Sequence, residues 1–285
     1  MMVLALLFAV LGAVSNAAGT AFQRKAAATL PGRTGLRLLL ALVRRPAWAI
    51  GIAGVVGAAV FQALALVNGP MALVQPLFML ELPFALLIAM PLLHRRPNPA
   101  GWWAIAGVVA GLAVLLASAA PHGGRQQAPM TRWIPVLVLT LGAITVTVLL
   151  VRSSSSPLFR AASLATAAAI GNALAAAFMK SATGRLADAG LPAFLTTWQT
   201  YGCALAGIGA LMFLENALQA GPLVASQPAL TIGDAAVSLA LGVLLFGESV
   251  RTGWWLLAEA FGAGLILWGV IRLTRVVPQL MDALR

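Results

Sequence analysis

The chain has 285 residues, 61% of them hydrophobic and only 9% charged, with a formal net charge of +11. So few charges exclude a soluble domain of this size. The bases lie between long apolar runs rather than in a patch with aromatics, which argues against a nucleic-acid partner, and the single cysteine, Cys203, excludes an intramolecular disulfide or a cysteine-based metal cage.

A membrane-crossing helix needs about 20 mostly apolar residues. On that basis the sequence predicts an all-α polytopic membrane protein with nine spans, at 2–22, 48–67, 71–93, 101–119, 132–151, 158–180, 194–216, 222–246 and 253–271. Few of the runs alternate as the strands of an outer-membrane barrel would, so the backbone amides must be satisfied within helices.

The first span carries small residues suited to cleavage at Ser15-Asn16-Ala17, but lacks the bases that precede a secretion signal, and it is expected to stay. Gly12, Ser15, Asn16, Gly19, Thr20 and Gln23 share one of its faces. Such a face either packs on another helix or lines a solute cavity. Residues 23–47 hold Arg24, Lys25, Arg33, Arg37, Arg44 and Arg45, with an interfacial stretch expected at Leu36 to Val43. The third span contributes Gln75, Pro76 and Glu81, and the fourth a GxxxG spacing at Gly107 and Gly111, a signal for close helix contact. Residues 120–131, rich in Gly, Gln and Pro, read as a linker into the fifth, connecting span, and Ser153 to Ser156 as a brief flexible joint.

Lys180 is expected to end the sixth span and snorkel to the interface. Asn172 lies within that span. On the seventh, Trp198, Tyr201, Leu205, Ile208, Met212 and Glu215 share a face. They could wall a site for a cationic or aromatic solute, or the aromatics could anchor the helix at the interface. The eighth span bears one polar stripe, Gln227, Thr231, Asp234 and Ser238. An acid at mid-bilayer costs about 2.5–3.5 kcal/mol, so the stripe is expected to face a solute or water cavity, the alternative being an internal hydrogen-bond network. Glu81, Glu215, Glu259 and Asp234 are candidate coupling carboxylates, each with a structural role as its alternative.

Thirteen of the eighteen bases fall on the side of the odd-numbered loops and the C-terminal tail, which the positive-inside rule places in the cytoplasm, with the N-terminus outside. One basic loop, 23–47, supplies most of that bias.

The chain also repeats itself. Gly69-Pro70 with Gln75-Pro76, Gly101-Trp102-Trp103 and Phe61 recur as Gly221-Pro222 with Gln227-Pro228, Gly253-Trp254-Trp255 and Phe213, all shifted by 152. Asn16-Ala17 and Phe22 recur as Asn172-Ala173 and Phe178, shifted by 156. The expected organisation is therefore a four-helix repeat over 1–119, a linker and connecting helix over 120–157, a second repeat over 158–272 and a cytoplasmic tail over 273–285. An odd shift of five spans inverts the second copy, as in alternating-access transporters with a site between the halves. The matched Pro76 and Pro228 predict paired kinks. Glu259 stands where the repeat would place the counterpart of Gly107.

Phe246-Gly247-Glu248, Gly253 and Gly262-Ala263-Gly264 resemble the end of the small multidrug resistance transporters and of the wider drug/metabolite transporter superfamily, including its EamA-like members. Gly19-Thr20-Ala21-Phe22 and Ala177-Phe178-Met179-Lys180 resemble the end of the first helix in those small transporters. The resemblance implies that each half is one four-helix unit of an antiparallel pair. Where that family carries a first-helix glutamate for proton and cationic substrate, this chain has Asn16 and Asn172, neither of which takes up a proton near neutral pH. Gln23-Arg24-Lys25-Ala26, Val74-Gln75-Pro76 and the nine spans also resemble a NIPA-like magnesium transporter group.

The expectation is a bacterial cell-membrane transporter, not an enzyme, exporting a metabolite or drug through a site near Asn16, Thr20, Gln23, Gln75, Asn172, Gln227, Thr231 and Asp234. Magnesium transport is the first alternative, needing Asp234, Glu81 and Glu215 to converge; a lipid flippase is the second. His94 and His122 have no partner at ligand spacing, and no Walker loop or HExxH motif is present. No cofactor is expected. Lipid and a small molecule or ion are the partners, the sequence leaves the oligomeric state open and allows a monomer, and it names no metal site.

Overall fold

The computed structural model describes residues 1–28, 45–93 and 99–282. The stretch expected at the interface (36–43), the bases Arg33, Arg37 and Arg44, and His94 lie outside the described residues.

Ten helices are described: α1 (Met2–Ala28), α2 (Pro46–Asn68), α3 (Met71–Phe78), α4 (Glu81–Leu93), α5 (Pro99–Ala119), α6 (Met130–Ser153), α7 (Pro157–Thr196), α8 (Trp198–Ala220), α9 (Leu223–Phe246) and α10 (Trp255–Asp282). Proline opens α2, α5 and α7 and immediately precedes α3, α6 and α9, positions where the amide it lacks has no intrahelical partner anyway. Among the described residues nine segments are long and apolar enough to cross a membrane, α3 and α4 together forming one of them. The protein is an all-α polytopic membrane protein.

Four sequence expectations change. The third span is not one helix: it breaks at Met79 and Leu80, whose amides bond back to Pro76 O and Leu77 O at 3.1 Å in tight turns. Pro83, which has no amide to offer Met79 O, suits this break; Pro76 lies inside α3 and Pro228 leaves α9 as one helix, so the predicted kinks are not paired. The sixth span does not end at Lys180; α7 runs on to Thr196, with its kink at Gly190 (φ 77). Helix α10 continues to Asp282, through most of the expected tail.

The closest partners are α1 with α2, α7 with α8, and α5 with α10; α9 lies along α7 and crosses α3, and α1 also meets α3 and α4. Glycines set these distances. A Cβ on Gly54 would lie 2.8 Å from Gly19 Cα, and one on Gly111 would lie 2.7 Å from Gly262 O. Backbones therefore touch directly, as membrane helices do when small residues face each other. The GxxxG pair Gly107 and Gly111 serves this contact, with Trp268 and Ile266 of α10 resting on them.

Since the spans alternate in direction, one end of the bundle collects the α2–α3 turn, residues 120–129, and the loop after α9. Residues 120–129 are no loose linker. His122–Gly123 (β1) pairs antiparallel with Glu248–Ser249 (β2), His122 opposite Ser249 and Gly123 opposite Glu248. Gln126 Nε2 donates to Val67 O (2.8 Å) and Gln127 Nε2 to Ser181 O (2.8 Å). Arg125 N donates to Phe246 O and Arg251 N to Ala119 O, both at 2.9 Å. The segment is a strap across this end.

Candidate functional site

The polar face of α1 divides between two tasks. Ser15 Oγ donates to Gly54 O (2.8 Å), Gly19 lies on α2 backbone, and Gln23 fills the space above Gly51, where a Cβ would meet Gln23 Cγ at 2.6 Å. These residues pack helices; Gln23, expected at a solute site, is spent on the α1–α2 contact. The next residues around the helix turn towards α4. Asn16 Nδ2 donates to Glu81 Oε2 at 2.7 Å, and Thr20 Oγ1 donates to Glu81 Oε1 at 3.5 Å. The break after α3 makes this possible, because it puts Glu81 at the start of α4, where the free amides of a new helix favour a carboxylate. All three residues are half-buried.

In the second half, Asn172 on α7 is half-buried, and among the described residues no hydrogen bond engages its side chain. Along α9, Thr231 is buried and donates to Gln227 O (2.8 Å), while the buried Ser238 donates to Asp234 Oδ1 (3.4 Å). Gln227 and Asp234 are half-buried. The stripe thus faces the protein, with Ala236, Ala240 and Leu244 on the exposed side. Gln75 is 5% exposed and its Nε2 has no partner among the described residues.

Other candidates separate from this group. Tyr201, Leu205, Ile208, Met212 and Glu215 all lie on the exposed face of α8, and the Tyr201 hydroxyl donates to Leu195 O (2.8 Å). They line no interior wall. These residues share a face as the sequence spacing has it, but α8 turns the opposite side to its partner α7. Trp198 instead packs edge-on against Trp133 and Phe178, whose rings stack at 4.8 Å. Glu259 is half-buried, with Oε1 buried and without a partner among the described residues. It lines an otherwise apolar cavity of about 260 Å³ between α3, α5, α9 and α10, together with Pro76, Leu115, Ile232 and Ala263. Among the described residues no three His, Cys, Asp or Glu gather into a group that could hold a metal ion, so Asp234, Glu81 and Glu215 do not converge.

The sequence reading missed the most tightly bonded charges among the described residues. Lys180 is 1% and Glu248 3% exposed, and Lys180 Nζ lies 2.6 Å from Glu248 Oε1. The expected snorkelling of Lys180 is wrong, because α7 continues past it and carries the ammonium into the bundle. Glu248 Oε1 also accepts Met71 N–H (2.6 Å), and Oε2 accepts Ala72 N–H (2.8 Å), so the carboxylate closes the N-terminus of α3. Lys180 further lies 3.4 Å from Gly69 O and 4.8 Å from the Phe246 ring centroid. Gly247, left-handed at φ 66, ends α9 and turns Glu248 inward. Gly242 and Gly124 make room for it, since a Cβ on either would meet the Glu248 side chain within 2.6 Å. A signal was present: opposite charges within or at the edge of membrane spans are expected to find a partner.

These features define a multi-pass membrane protein with an internal amide–carboxylate cluster and a buried ion pair beneath a structured strap. No family model and no solved structure matches the chain. It is 30% identical over 263 residues to an uncharacterized protein of Corynebacterium glutamicum, the match covering 88% of each chain. The chain belongs to the same family as that protein.

Proposed function

We propose that the protein is a secondary transporter that moves a small solute by alternating access between two inverted four-helix repeats. The observation that carries this reading is the Asn16–Thr20–Glu81 cluster, a carboxylate and its donors inside membrane spans, where ionisable groups mark substrate and ion pathways. The packing supports the repeat. First and second helices pair in both halves (α1 with α2, α7 with α8), third helices lie on first helices in both, and the third and fourth helices of one half meet those of the other. Asn172, Gln227 and Asp234 supply the second half's share of the site.

The drug/metabolite transporter resemblance makes export of an organic metabolite or drug the first choice, in a bacterial cell membrane with the N-terminus outside. The absence of a gathered carboxylate set among the described residues counts against magnesium transport, and the inward-facing stripe of α9 counts against a flippase that offers it sideways to lipid. A thermal-shift screen of the purified protein against amino acids, nucleobases, cationic drugs and metal ions tests the proposal. A stabilising compound should lose its effect in Asn16→Ala and in Asp234→Asn. A compound that is transported yet binds both variants as well as the parent would refute the site.

A further inference from the structure

We infer that Lys180 and Glu248 form a one-sided latch, which holds the strap-bearing end of the transporter shut and must release for that end to open. This rests on the transporter reading above. Glu248 and Lys180 belong to the second half, and the α3 N-terminus that Glu248 grips belongs to the first. Any separation of the halves at this end must therefore break the hydrogen bonds to Met71 and Ala72. The strap adds to the closure: Gly123 pairs with Glu248 itself, and Gln126 and Gln127 tie the end of α2 and the turn of α7 after Lys180 to the same segment.

The latch has no counterpart in the sequence of the other half. The repeat-related position of Glu248 is occupied by Arg96, and a cation is unfavourable at a helix N-terminus. Among the described residues no second ion pair bolts the opposite end, which biases the resting state towards closure at this one. Directly beneath the latch, one turn along α3 from Ala72, sits the orphan amide of Gln75. A buried donor without a partner calls for an explanation, and opening of this end supplies one: Gln75 meets water or solute in the other state. Glu248 and Lys180 are positioning residues in this scheme; they act through α3.

The test uses the full chain in lipid nanodiscs, with Cys203→Ser as background and either Gln75→Cys or Ser226→Cys added. Ser226 is also fully buried, but lies near the opposite end, in the first turn of α9. The readout is the rate of labelling by a membrane-impermeant maleimide, which needs no solute, so the latch and the transport reading can fail separately. Adding Glu248→Gln or Lys180→Met should raise labelling of Gln75→Cys by at least about tenfold and leave Ser226→Cys unchanged. Glu248→Asp, which keeps the charge but draws the carboxylate back from α3, should give a smaller rise and serves if the stronger variants do not fold. An unchanged rate at Gln75→Cys in the folded variants overturns the latch, as does an equal rise at both positions, which would mean general loosening.

Discussion

Replacing Gly111 by alanine measures how far backbone contact holds α5 and α10 together. A Cβ there would stand 2.7 Å from Gly262 O and 2.8 Å from Ile266 N, both main-chain atoms of α10. Comfortable contact begins near 3.5 Å, so the helices must part locally by roughly 0.8 Å. A gap of that size forfeits about a quarter to a half of each dispersion contact along the seam, and overpacking of this kind costs about 1–3 kcal/mol. Alanine also gains up to about 1 kcal/mol over glycine in helix propensity, which would blur the result. Gly142→Ala corrects for this, because a Cβ at Gly142 meets nothing within 4 Å and the residue is exposed on α6. The difference between the two variants then isolates strain. Heat unfolding in detergent, followed through the eight tryptophans, should place Gly111→Ala below Gly142→Ala, with Gly142→Ala level with the parent or above it. Equal midpoints for the two alanine variants would refute the claim that glycine contact, rather than general apolar packing, sets the α5–α10 seam.

Removing one partner of the buried ion pair should be severe: Lys180→Met is expected to lose about 3–5 kcal/mol, and the Lys180→Met/Glu248→Gln double variant less than the sum of the singles, in a denaturation cycle. Asn16→Ala and Glu81→Gln each break a hydrogen bond involving a charged group, a change of about 1.5–3 kcal/mol, and should weaken solute binding about tenfold or more by calorimetry once a solute is identified. Glu215→Gln and Tyr201→Phe, on the outer face of α8, should leave uptake into proteoliposomes and thermal stability near the parent's, within about 0.5 kcal/mol. Gln126→Ala and Gln127→Ala should free the strap, and faster trypsin cleavage after the exposed Arg125 would report it.

The sequence by itself determined which segments are helices and, apart from the break in the third span and the overruns of α7 and α10, roughly where they end. In lipid every backbone amide must bond within its own segment, so hydropathy and prolines suffice, and all nine expected spans appear among the described residues. The Asn16, Thr20 and Glu81 side chains could be named as candidates for the same reason: polar atoms in an apolar run stand out. Their meeting could not be read, since it depends on the break after Phe78 that starts α4 at Glu81, while α9, the matched helix, is unbroken. Nor could the division of α1's polar face, which follows from which side its glycines press against α2. Lys180 and Glu248 lie 68 residues apart, and their pairing needs the unexpected length of α7, the left-handed turn at Gly247 and the open N-terminus of α3 at one place. Local energetics fix helices one at a time, whereas the partner of a buried charge is chosen by how those helices pack, and only the tertiary structure contains that choice.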